Sequence, residues 1–210
     1  MSSTTITESA ADGESAKRRQ IMTGAQEVFL AHGFDGASMG EIARKAGVSK
    51  GTLYVYFDSK ERLFEAIFEE ACQKQAEQML SLNPGNSDVE AELTRFGCEL
   101  IRFLCLPQRL SPLRTIISIA DRMPEIGRRF YEFGPARGIG VVKTYLDAQV
   151  AAGILQVEDT EVAAAQFLES CQATTFRPLL YNFAGAPSEE HIRHVVRIAV
   201  RTLLAAYRKP

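Results

Sequence analysis

The chain has no apolar run long enough to cross a bilayer, only three histidines and no Cys-x-x-Cys pair. Each gap excludes a class of protein. A spanning helix needs about 20 consecutive apolar residues, and the Ser/Thr-rich start lacks the apolar centre of a signal peptide, so a cytoplasmic protein with no membrane partner is expected. No Ser/His/Asp set and no glycine-rich strand-to-helix turn is present, so an enzyme has nothing to be built on, and no cofactor is implied. Cys72, Cys98, Cys105 and Cys171 sit in helical patterns and read as reduced core thiols. Cys98 and Cys105, seven apart, can share a helix face, which leaves a redox switch open. His191 and His194 also share a face, but no carboxylate or cysteine pattern completes a metal site beside them, and solvated histidines are the simpler reading. Charge of one sign is lacking too. The net value is −2, so attraction to phosphate must be local. Lys17, Arg18, Arg19, Arg44, Lys45, Lys50, Lys60 and Arg62 supply it, all in the N-terminal part.

Within that basic region, Ser38 to Lys60 (SMGEIARKAGVSKGTLYVYFDSK) reads as two short helices joined by a tight turn. Ser38 with Glu41 forms a capping box. Met39, Ile42, Ala43 and Ala46 repeat at helical spacing, and Gly47 stands where a helix end takes positive φ. Val48 plugs the turn, Ser49 caps the second helix, and Leu53 with Phe57 pins it to the core. The opposite face carries Lys50, Thr52, Tyr54 and Tyr56, a cation, hydroxyls and rings of the kind that meet phosphates and base edges in a major groove.

The segment FDGASMGEIARKAGVSKGTLYVYFDSKERLFEAI resembles, nearly position for position, the DNA-binding domain of the TetR family of bacterial transcriptional regulators. The likeness extends from near Ser15 to near Phe68. It implies a ligand-responsive dimeric regulator, most often a repressor, on a palindromic operator of double-stranded DNA, released by a small hydrophobic or amphipathic effector. By the same resemblance Lys50 reads bases, Thr52 meets a thymine methyl or a phosphate, Tyr54 and Tyr56 hold phosphates, and Gly51 lets the backbone approach. Ser38, Ser49, Arg44 and Lys60 complete the DNA-contacting set. Gly40 departs from members with a longer polar residue there, so a base contact from the first motif helix is missing. A sequence-tolerant architectural DNA-binding protein without an effector is the rival reading.

The expected fold is all-α, with a tail without structure over 1–14, a three-helix helix-turn-helix domain over 15–61, and a helical effector-binding and dimerisation domain over 62–210. Asp58 with Glu61 and Ser87 with Glu90 read as further capping boxes, and Asn83-Pro84-Gly85-Asn86 as the turn between the halves. The helix from Pro124 must kink or break at Gly134-Pro135. The last two helices, from Thr160 and after Ser188, are apolar on more than one side, and the resemblance implies that they pair with their copies in a homodimer. The stretches RTIISIADRMPEIGRRFYEFGP and FRPLLYNF are similar to the C-terminal domain of AefR-like members. An effector cavity is expected to draw on Arg102, Asp121, Arg137, Gln166, Glu169 and Gln172, with walls from Phe96, Phe130 and Phe176. A structural hydrogen bond or ion pair is the plainer role for each polar one.

Overall fold

The computed structural model describes residues 4–79 and 81–209, with side-chain surroundings for 15–70, 81–107 and 109–209. Among them the chain is all-α, and the one β-type contact is an isolated antiparallel bridge between Leu155 and Arg208. It forms two compact units that part after Ala71.

The first unit is built from α1 (Thr4–Gly36), α2 (Met39–Lys45), α3 (Lys50–Tyr56) and the beginning of α4 (Lys60–Met79). The first helix, expected from about Ser15, begins at Thr4, inside the stretch expected to be unstructured. Adding turns to an existing helix costs far less than nucleating one, and needs no apolar face. At its other end α1 breaks at Gly33, whose φ of 69° and ψ of 178° leave the helical region. Ile21, Ala25, Val28 and Phe29 turn inward with Phe34, Ile42, Leu53, Phe57, Leu63 and Phe64. Phe29, Phe34 and Phe64 form a ring cluster with centroids 5.2 to 5.8 Å apart, each pair adding about 0.5–1.5 kcal/mol beyond its buried area. This cluster explains why the unit extends beyond the boundary expected after Glu61. Leu63, Phe64 and Ile67 of α4 are part of its core.

The second unit holds α5 (Val89–Leu104), α6 (Pro107–Ile119), α7 (Pro124–Tyr131), a π-helical turn (Glu132–Ala136), α8 (Arg137–Ala151), α9 (Thr160–Gln172), α10 (Phe176–Leu180) and α11 (Glu189–Tyr207). Its core is the packing of α5, α8, α9 and α11 around Leu93, Phe96, Tyr145, Leu146, Phe167 and Val196. The chain does not break at Gly134-Pro135. Its ladder widens into the π turn, which absorbs a proline that has no N–H to donate. Two cap expectations are corrected. Ser59, not Asp58, caps α4, its hydroxyl accepting from the Arg62 N–H at 3.2 Å. Asp88, not Ser87, caps α5, accepting from the Ala91 N–H at 3.0 Å. In each case neighbouring Asx and Ser residues offer equivalent oxygens, and the choice falls to where the first helical turn closes.

Candidate nucleic-acid interface

α2 and α3 owe their short length to the signals at their ends. The Ser38 hydroxyl accepts from the Glu41 N–H at 3.2 Å, opening α2. Gly47 takes φ 65° after its last turn. The Ser49 hydroxyl accepts from the Thr52 N–H at 3.0 Å, opening α3. The return half of the first capping box is redirected, because the Glu41 carboxylate lies 3.2 Å from His32 Nε2. That contact ties the pair to α1, and two more do the same. Gln20 Nε2 donates to the Ala46 carbonyl at 2.7 Å, and Lys45 pairs with Glu27 at 2.7 Å. At Gly24 an added Cβ would lie 2.8 Å from the backbone of Ala46. Helix α1 therefore meets the end of α2 with no room for a side chain.

With Leu53 and Phe57 buried beneath it, α3 presents Lys50, Gly51, Tyr54 and Val55 to solvent. Val55, 82% exposed, did not stand out in the sequence. Its i+4 spacing from Gly51 was the signal that it shares that residue's face. Thr52 and Tyr56 are half-buried, and the Thr52 hydroxyl lies 2.8 Å from that of Ser49, so these two oxygens are partly committed to the cap. Arg44 is exposed, 3.9 Å from Glu41. Gly51 has open space around it, the nearest atom to an added Cβ being Ser49 Oγ at 3.8 Å. Nothing inside the protein demands a glycine there.

Lys60 is placed differently from the expectation. Its ammonium donates to the carbonyls of Phe34 at 2.7 Å and Ala37 at 3.1 Å, and lies 4.4 Å from the centre of the Phe34 ring. Those carbonyls follow the break at Gly33, where no helix ladder satisfies them. Two of the three ammonium donors are thus spent inside the fold.

Several of the residues expected to line an effector cavity have other partners or face solvent. Arg102 forms a bidentate pair with Glu189, at 2.7 Å for its shortest contact, tying α5 to α11. Glu169 pairs with Arg177, and the Gln172 amide donates to the Leu168 carbonyl at 3.1 Å. Asp121, Arg137 and Gln166 are exposed. Phe96 is fully buried in the core, Phe176 is buried and Phe130 half-buried. A polar residue between apolar neighbours on a helix reads the same whether it faces a cavity or the solvent.

Cys98 and Cys171 are buried and Cys105 half-buried, all three as free thiols. Cys72 lies outside the residues whose side chains are described. Burial raises all three thiols, Cys105 to about 11, and so disfavours the thiolate that redox chemistry uses. His191 Nε2 lies 3.0 Å from the Thr174 carbonyl, bracing the start of α11, and His194 is exposed.

A helical pair capped at both starts, turned by a positive-φ glycine and held on a third helix defines a helix-turn-helix regulator, here followed by a separate helical unit. The chain belongs to the TetR family of bacterial regulatory proteins. Residues 21–67 match that family's DNA-binding domain, and residues 91–209 match the AefR-like transcriptional repressor C-terminal domain. Among similar solved structures, a TetR-family regulator from Mesorhizobium loti superposes with a TM-score of 0.81 at 27% identity, covering 93% of this chain and 98% of that one. The flavonoid-responsive regulator FrrA gives 0.82 at 28%, covering 92% and 98%. The regulator YvdT of Bacillus subtilis is 38% identical over 74 residues, 35% of this chain and 38% of its own length. The repressor AcnR of Corynebacterium diphtheriae is 35% identical over 63 residues, 30% of this chain and 33% of its own. The chain thus matches only about a third of the length of these two sequence relatives. Among the described residues no helix is long and apolar enough to cross a membrane.

Proposed function

We propose that this regulator acts as a dimeric repressor in the cytoplasm, binding a palindromic operator through α3 and leaving it when a small hydrophobic or amphipathic effector binds the second unit. The observation that carries the DNA reading is the solvent-facing side of α3. Lys50 and Tyr54 stand on it beside a glycine that nothing within the protein requires. Lys50 donates to guanine O6 or N7, while Tyr54, Ser38 and Arg44 bind phosphate and set register. Tyr56, Thr52 and Ser49 contribute to the extent that their capping roles leave them free. Lys60 is removed from the direct contacts, since its donors are engaged at Phe34 and Ala37.

Dimerisation is supported by apolar side chains left in solvent on the last two long helices, Val162 on α9 at 49% exposure and Ile198 on α11 at 41%. Two subunits related by a two-fold axis would set their α3 helices in successive major grooves, about 34–36 Å apart. Control by an effector follows if the ligand favours a conformation whose reading helices no longer match that spacing. FrrA is flavonoid-responsive. An aromatic amphipathic effector fits the class proposed here.

The test is fluorescence anisotropy with DNA from upstream of the protein's own gene, comparing wild type, Tyr54→Phe and Lys50→Ala. Loss of the tyrosine hydroxyl should weaken binding to all sequences alike, by about five-fold for one hydrogen bond. Loss of the lysine should erode discrimination between the upstream fragment and its point variants. If neither change alters binding, α3 is not the reading helix.

A further inference from the structure

Gly40, in the first turn of α2, is a glycine without a backbone reason. Its φ lies outside the left-handed region, and glycine inside a helix is less stable than alanine. The space above it explains the choice. A Cβ added at Gly40 would lie 2.8 Å from Cε of Lys50 and 3.1 Å from its Nζ, and beyond the adjoining residues and α2's own backbone these are the described atoms within 4 Å. The Lys50 side chain leaves the start of α3, crosses the gap to α2 and rests its end on the bare backbone of Gly40. Lys50 makes no hydrogen bond or ion pair among the described residues, so this berth positions the ammonium while leaving its donors free.

We infer that Gly40 is a specificity-determining residue of the interface, acting by fixing where Lys50 points. The inference rests on the reading of α3 given above. At position 40, α2 contributes no side chain, and the place is taken by the lysine of α3. Any residue larger than glycine at position 40 moves the ammonium, because the atoms in the way are the far end of a flexible side chain, which swings aside at little cost to the fold. The effect is therefore on where the donor sits and not on whether the domain folds. A buried clash would act in the opposite sense, on stability first.

The experiment is selection of preferred sites from a duplex pool with a randomised central region. It uses full-length wild type, Gly40→Ala, Gly40→Ser, Lys50→Ala and the double variant Gly40→Ala/Lys50→Ala, followed by affinities for the selected site and its single-base variants. Thermal melting of Gly40→Ala should be at or above wild type, since alanine favours the helix. In wild type, one position per half-site should depend on Lys50, with a preference of about ten-fold or more that Lys50→Ala removes. Gly40→Ala and Gly40→Ser should each weaken or redirect that preference several-fold, at that position alone. In the Lys50→Ala background, Gly40→Ala should change nothing further, because the residue that glycine accommodates is gone.

Wild-type preferences retained in both Gly40 variants would overturn the inference while leaving the DNA reading intact. So would an effect of Gly40→Ala that persists undiminished without Lys50. A wild-type protein that selects no sequence from the pool would overturn the DNA reading, and this inference with it.

Discussion

At the scale of single residues, the structure separates side chains that face outward for recognition from those that resemble them but hold the fold. Lys60 is the clearest of the second kind. Lys60→Met should lower the melting temperature, because it strips the Phe34 and Ala37 carbonyls of their donor. It should leave the slope of log K against log salt unchanged, whereas a lost phosphate contact would reduce that slope by about 0.9. Gly24→Ala makes a contrary case to Gly40. The Cβ there would meet the Ala46 backbone at 2.8 Å, which cannot swing away. The substitution should destabilise the domain by about 1–3 kcal/mol despite alanine's better helix propensity, as thermal or urea unfolding would register.

Glu92 carries a pH signature. The residue is buried, at 7% exposure, and its carboxylate accepts from Arg95 at 2.7 Å, from the Asn83 N–H at 2.9 Å and from the Asn86 amide at 3.2 Å. The Arg95 hydrogen bond, foremost, holds its carboxyl below the ordinary value, outweighing the opposing effect of burial. A folded-state value below the unfolded one means that this stabilisation is complete above pH 4.5, the carboxyl's ordinary value. It disappears as pH falls below 4.5 through the lowered value. Glu92→Gln should therefore melt below wild type at neutral pH, with the gap narrowing in acid.

At the scale of elements, the same Glu92 shows what it secures. The turn joining α4 to α5 is clasped by Glu92 and Arg95 from one side. From α8, Tyr145 O–H donates to the Asn86 carbonyl at 3.2 Å and Gln149 to that of Pro84 at 3.0 Å. The segment that receives α4 is therefore tied to two core helices of the second unit. On the outer side of that core, Val162 and Ile198 remain exposed on α9 and α11. Val162→Asp and Ile198→Asp should shift the protein toward monomer in sedimentation or light scattering, and weaken operator binding through loss of the second half-site. An unchanged dimer in both variants would place the interface elsewhere.

Element identity was open to sequence reading wherever a signal is local. Ser38, Gly47 and Ser49 each carry their own cap or turn chemistry, and Leu53 with Phe57 marks the buried side of α3 by spacing alone. Some misses were local, as where Ser59 and Asp88 took caps expected at their neighbours, but those that bear on the site depend on distant partners. The inward turn of Lys60 depends on carbonyls more than twenty residues earlier in the chain, and the berth of Lys50 depends on a glycine in the preceding helix. The spread of Arg102, Gln166 and Glu169 over the surface depends on which helix faces are covered, and helical period alone does not distinguish solvent from cavity.

At the scale of the whole molecule, a protein of net charge −2 meets DNA by where its cations stand, among them Arg44 and Lys50 in the helix-turn-helix, and not by carrying an excess of them. The second unit gives the regulator its proposed switch. An effector that binds only the folded protein should raise its melting temperature in proportion to the logarithm of concentration above the dissociation constant. A panel of amphipathic aromatic compounds should contain members that both do this and lower operator affinity, and a compound that does the first without the second binds without switching.

The most direct measurement of the central claim is the affinity of the wild-type protein for DNA upstream of its own gene, set against a scrambled duplex of the same length, at two salt concentrations. A sequence-reading regulator should prefer the upstream fragment by about a thousand-fold or more, with both affinities falling as salt rises. Equal affinity for the two duplexes would contradict the account, and would leave a protein that grips the phosphate backbone without reading the bases.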